Sequence, residues 1–257
     1  MTLLDTLLLG AAGLVGGTLS AVVGGAALFT FPALLAAGLP PINAAACNMA
    51  AMVPCNFIAA VADGSQLPRF DRAFILLLIA SVVGALAGAT LLLLTPERMF
   101  AVLVPLLLGL ATVLFGYSAR IAAWLRARAA DILARDPHAS RHSIGALVPV
   151  SVYGGYFGAG VGVLLLAVLS VGTGGDYRAA NVTKNLVTSF NSVVAAAVFV
   201  AQGMVVWPQT LALMSGAFAG GIVGSWLARS LPRGLMRVLI VAVGALLTVI
   251  FARRYWF

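Results

Sequence analysis

Lys184 is the only lysine in 257 residues, and it stands in a polar run, Asn181-Val182-Thr183-Lys184-Asn185, at the start of an otherwise apolar stretch. At helical spacing Asn181, Lys184, Thr188 and Asn191 share one face, with Asn185 and Ser192 beside it. A cation and several amides on one stripe can hold a negatively charged or polar guest. In hydrocarbon an ionised side chain costs at least ~2.5–3.5 kcal/mol, so such a residue is a functional candidate by default. The bland alternative is that Lys184 snorkels to the headgroups and the amides bond neighbouring helices. A second polar face lies earlier, with Asn43, Asn48, Cys55 and Asn56 and with Pro54 as a kink.

Glycines supply another ingredient. Gly24-Gly25 interrupts the first apolar run, with Pro32 just after it, and Gly154, Gly155, Gly158, Gly160 and Gly162 crowd a later one. Helices starting at such breaks aim unpaired N–H groups and a partial positive charge into the membrane, which suits anions. A cation site would need carboxylates. The seven acids, Asp5, Asp63, Asp71, Glu97, Asp131, Asp136 and Asp176, all fall at segment ends or in loops. An anion or a neutral polar solute is therefore favoured over a metal ion. No metal and no cofactor is expected, and proton coupling would have to use Asp63 or the titration of the substrate itself.

The elements that carry these residues are membrane spans. The chain is 62% hydrophobic and 9% charged, against about a quarter charged in soluble domains. Apolar segments run over 3–38, 42–62, 73–94, 99–118, 144–171, 179–201, 209–228 and 237–252, and several exceed the ~20 residues that cross a bilayer. Membrane lipid is thus a partner. The net charge of +8 reflects arginines in short loops, as in cytoplasmic loops of membrane proteins, and not nucleic-acid binding. Cys47 and Cys55, eight residues apart on one helix, cannot form a disulfide and read as small core residues.

The chain divides into a first repeat over 1–118, a basic linker over 119–143 and a second repeat over 144–257. Trp124, Leu125, Ile132 and Leu133 of the linker suggest a short helix on the headgroups. Gly84-x3-Gly88 matches Gly220-x3-Gly224, and Pro96, Thr112 and Phe115 match Pro232, Thr248 and Phe251, all at 136 residues. Asn48 pairs with Thr183 and Asn56 with Asn191 at 135. Internal repeats are a common construction of transporters. With the linker in the cytoplasm, the positive-inside bias is best met if each opening segment enters and doubles back. Each half then has an odd number of crossings, and the halves form an inverted repeat, although Arg253 and Arg254 end outside against the bias. The expected fold is an all-α polytopic membrane protein of 8–10 segments. The Gly-x3-Gly faces serve packing within the chain, with a homodimer as the alternative.

In the order of these motifs the chain resembles the sulfite exporter TauE/SafE family of bacterial permeases. The residues that carry the likeness are Gly24-Gly25 through Pro32 to Gly38-Leu39-Pro40, then Gly158–Gly162, Ala180-Asn181-Val182-Thr183-Lys184 and Asn191. The resemblance implies a multi-pass inner-membrane secondary transporter that exports or takes up sulfite or an organosulfonate. The expected substrate-binding residues are Lys184, Thr183, Asn191, Asn48, Asn56, Asn181, Gly24, Gly25, Gly160 and Gly162. A channel, a non-transporting subunit or an importer of another small organic anion remains as the alternative. An intramembrane enzyme is disfavoured, because His138 and His142, the only histidines, sit in the linker.

Overall fold

A computed structural model describes residues 2–22, 25–61, 67–118, 120–121, 123–124, 127, 140–172, 176–227 and 233–256. The described residues form ten helices. The first five are α1 (Leu3–Val22), α2 (Ala27–Ala36), α3 (Pro41–Val61), α4 (Arg72–Leu94) and α5 (Glu97–Gly116). The second five are α6 (Ser140–Tyr156), α7 (Val161–Gly172), α8 (Tyr177–Ala201), α9 (Trp207–Leu227) and α10 (Arg233–Trp256). Most of the linker lies outside the described residues, as does the headgroup helix expected there; Arg120 stacks on the Tyr117 ring at 5.6 Å.

Several acids at segment ends turn out to start helices. Asp71 caps α4 by accepting from the Phe74 amide at 2.8 Å, and Asp176 caps α8 by accepting from the Arg178 amide at 2.9 Å. Asp5 and Thr2 bond each other's backbone amides reciprocally at 2.7 and 3.1 Å. Each satisfies an amide that a helix start leaves unpaired. These carboxylates are thereby committed to helix ends, far from the middle of the bundle.

Among the described residues, five helices are long and apolar enough to cross a membrane: Leu3–Ala21, Pro41–Val61, Arg72–Leu94, Glu97–Gly116 and Arg178–Ala201. Their outer faces carry large apolar side chains, such as Leu76, Ile79, Val83 and Leu94 on α4. Two apolar helices are short. At 1.5 Å per residue, the 10 residues of α2 and the 12 of α7 make only about half of a ~30 Å hydrocarbon core.

Each short helix is the return leg of a hairpin. Gly16 of α1 lies against Thr30 of α2, Thr30 bonds Asn48 of α3, and Ser20 near the end of α1 bonds Asn56 of α3 at 2.7 Å. Successive helices therefore run antiparallel, and α1, whose Ser20 is level with Asn56, ends within about a turn of the end of α3 at Val61. The second break lies over Phe157–Gly160, later than Gly154 and Gly155, which stay inside α6. Gly158 and Gly160 have φ of +78° and +76°, left-handed conformations that only glycine adopts without strain.

The packing of the two series is reciprocal. Helix α1 lies on α9 as α6 lies on α4, and α3 touches α9 as α8 touches α4. The Gly-x3-Gly pairs form the first of these seams. A Cβ on Gly88 would strike the Val152 carbonyl of α6, and one on Gly220 the Leu14 carbonyl of α1. These glycine faces are therefore occupied within the chain. Helices α3 with α8 and α5 with α10 meet across the centre. Both pairs run antiparallel: Gly109 lies against Thr248 and Gly116 against Val241, while Asn43, at the start of α3, donates to Met204 O just beyond α8 at 2.8 Å.

Candidate functional site

The two hairpin turns meet the middle of α3 and α8 around a cavity of about 60 Å³, room for a few waters or one small polyatomic ion, since a single water needs about 10–15 Å³ by this measure. Gly25, Ala26 and Ala27 bring the start of α2 to it, and Gly160, Val161 and Gly162 bring the start of α7. Helix α3 contributes Asn48, Met49, Met52 and Asn56, and α8 contributes Lys184, Asn185, Thr188, Asn191 and Ser192.

Lys184 does not snorkel. It is 1% exposed, and its Nζ has the Ser20 carbonyl at 3.5 Å, a long contact. No Asp or Glu is buried among the described residues. Beside it, both polar atoms of the Asn185 amide and the Thr188 hydroxyl have no hydrogen-bond partner among the described residues, although Asn185 is also only 1% exposed. Buried polar groups are normally paired, because leaving them unpaired is costly. Unpaired groups in the wall of a cavity therefore point to a guest.

The other asparagines are held by hydroxyls from neighbouring helices. Ser20 donates to Asn56 Oδ1, Thr30 to Asn48 Oδ1, and Ser81 to Asn191 Oδ1 at 2.9 Å. Asn191 Nδ2 in turn donates to Ser151 Oγ at 3.4 Å. Asn48 and Asn56, whose carbonyl oxygens are engaged in this way, line the cavity. One ammonium, amide donors and two helix starts make a wall of positive potential, complementary to an anion.

Of the residues singled out from the sequence, Lys184, Asn191, Asn48, Asn56, Gly25, Gly160 and Gly162 come together at this cavity. Thr183 and Asn181 do not line it. The Thr183 hydroxyl turns back onto the Ala179 carbonyl at 2.7 Å, as a threonine inside a helix commonly does. Asn181 stands nearly a full turn closer to the helix start, with a buried, unpartnered Oδ1. Gly24 lies outside the described residues, as does Asp63. Sequence reasoning missed Ser20, on a helix that read as a plain apolar span, and Met49 and Met52, apolar residues of the helix whose polar face it had named. It placed Thr188 on the stripe and Asn185 and Ser192 beside it without counting them among the binding residues. Met49 had one signal: it is the counterpart of Lys184 at the 135-residue offset.

The family described as Sulfite exporter TauE/SafE matches residues 9–251. The chain belongs to the TauE/SafE family. Its members among curated proteins include a probable membrane transporter protein, ORF9, of Sinorhizobium sp, 27% identical over 244 residues, covering 93% of this chain and 88% of that protein. The probable membrane transporter protein YfcA of Escherichia coli strain K12 is 24% identical over 237 residues, covering 91% and 85%. No solved structure matches the chain significantly. As a TauE/SafE protein with several membrane-spanning helices, the chain is a multi-pass membrane transporter.

Proposed function

We propose that this TauE/SafE protein is a secondary transporter for a small sulfur-containing anion, sulfite or an organosulfonate, in the bacterial inner membrane. The cavity between α3 and α8 is its site, and the two halves work as an inverted repeat around it. Lys184 carries the proposal: a buried ammonium with no carboxylate partner among the described residues, in a wall whose neighbouring polar atoms are unpaired, calls for an anion as counter-ion. The family description supports sulfur oxyanions, and the volume suits a guest of that size. The antiparallel course of α5 against α10, and of α3 against α8, supports the inversion, because equivalent helices of two inverted halves must point opposite ways.

The test is flux in proteoliposomes offered sulfite, methanesulfonate, isethionate or sulfoacetate. Lys184→Ala is expected to reduce substrate-dependent flux at least ~30-fold, the low end of what removing one partner of a buried charge pair costs, in protein that still elutes as a single folded species. Flux that survives the substitution unchanged removes Lys184 from the site and ends this reading.

A further inference from the structure

A carrier must cross the membrane empty as well as loaded, and an empty cavity leaves the Lys184 ammonium unpaired in a region of low dielectric. Among the described residues, the groups that could share its charge are few. Helix α3 brings Cys55, whose thiol is turned onto the Gly17 carbonyl at 3.4 Å. Helix α6 brings Tyr153, whose hydroxyl donates to the Ala159 carbonyl at 2.6 Å, with Tyr156 near Thr95 and Arg141 and His142 at its other end. Helix α4 has Arg72 only at its start, α7 has no titratable residue, and Asp5 of α1 lies at the end remote from Ser20. None of these is an anion beside Nζ.

Resting on the function proposed above, we propose that Lys184 is the coupling group: it holds the anion as an ammonium, and the empty carrier returns only as the neutral amine. One proton then accompanies each anion. On the loading side the amine lone pair takes a proton from water and the anion pairs with the ammonium. For a monovalent guest the loaded site is neutral. On the release side the anion leaves, one N–H bond breaks, the electron pair stays on nitrogen and the proton goes to the water that replaces the guest. A lysine suits this exchange, because a buried ammonium gives up its proton more readily than a guanidinium does. The unpaired Asn185 and Thr188 groups remain to receive that water when the anion has gone.

Proteoliposomes test this with methanesulfonate, isethionate and sulfoacetate, which stay fully ionised near neutral pH and cannot carry the proton themselves. Two readings are taken with the membrane potential clamped at zero. Labelled counterflow without gradients reports binding and reorientation of the loaded carrier. Uptake under a roughly tenfold proton gradient, acid outside, reports coupling, with a trapped pH dye recording internal acidification. For a monovalent anion, one-to-one coupling predicts about tenfold accumulation at equilibrium, since the two ratios then become equal. Counterflow of any of these anions without accumulation or acidification overturns the coupling and leaves the transporter standing. Absence of counterflow for all three overturns the organosulfonate reading and the coupling with it. Lys184→Arg, which stays charged, alters the site itself and is therefore read as the ratio of accumulation to its own residual counterflow. That ratio is expected to fall well below wild type, and a ratio equal to wild type overturns the coupling. Where counterflow is lost altogether, through misfolding or otherwise, the wild-type readings decide.

Discussion

At the offset of 135 residues that pairs Asn56 with Asn191, Lys184 falls opposite Met49, and both line the cavity. The two halves thus build the same frame, a hairpin turn, a short helix and a long polar-faced helix, and then fill it differently. In the second half the position holds an ammonium; in the first it holds an uncharged thioether of similar length. Asn191 is held by Ser81 and Ser151, whereas Asn56 has the single donor Ser20. Asn48 reaches the cavity while its counterpart Thr183 folds back onto its own helix. The likeness of the two series lies in the scaffold, and their difference lies in the charge. One cation is enough for one small anion, and a second in the same small volume would be repelled by the first.

The largest expected effect comes from erasing this difference. Lys184→Met gives both halves the same side chain with little change in shape, so the fold should survive while anion-dependent thermal stabilisation by sulfite or methanesulfonate disappears, a loss of affinity of at least ~30-fold. The double variant Met49→Lys/Lys184→Met returns the cation from the opposite half. It should regain measurable anion stabilisation if the two positions are equivalent across the cavity. A double variant no better than Lys184→Met would break the comparison at its centre.

The frame was largely legible in the sequence. Apolar run lengths, the paired glycines and the matching offsets led to 8–10 helical segments, a range that contains the ten helices of the described residues, because hydrocarbon thickness and backbone hydrogen bonding leave few alternatives. Lys184 and Asn191 could be placed on one face by helical spacing alone. What spacing could not fix was depth and rotation. Asn181 shares that face but lies too near the helix start to meet the cavity. Thr183 satisfies its own hydroxyl within the helix, and Ser20 sits in a run that reads as uniformly apolar. The partners of the asparagines, Thr30, Ser81 and Ser151, come from other helices. They become visible only once packing brings those helices together.

The seams offer a milder test of the same equivalence. Gly88 of α4 packs against α6 and Gly224 of α9 against α1, and in both places an added Cβ would press into backbone. Gly88→Ala and Gly224→Ala are each expected to cost about 1–3 kcal/mol, the usual range for overpacking, read as a lower unfolding temperature in detergent. Gly109→Ala, where the new Cβ would meet only the Thr248 methyl at 3.4 Å, should leave that temperature nearly unchanged. If Gly88 and Gly224 tolerate alanine as well as Gly109 does, the close contact of these reciprocal seams is not what holds the halves together.

The smallest expected difference is between the two asparagines. Ser81→Ala removes the donor to Asn191 Oδ1, and Ser151, which accepts from the Nδ2 of the same amide, does not replace it, so that buried oxygen too is left without its donor, at a cost of about 1–3 kcal/mol. Ser20→Ala removes the donor that engages Asn56 Oδ1 and leaves that oxygen buried without it, which should cost about 1–3 kcal/mol. The Ser20 carbonyl, the contact of Lys184, survives this substitution, so a change in anion affinity would come through Asn56 or the lost hydroxyl itself. Unfolding temperatures of the two variants should therefore fall by similar amounts. A clearly larger loss for Ser81→Ala would mean that the doubly held asparagine of the second half, and not the singly held one of the first, is the tighter constraint on the cavity wall.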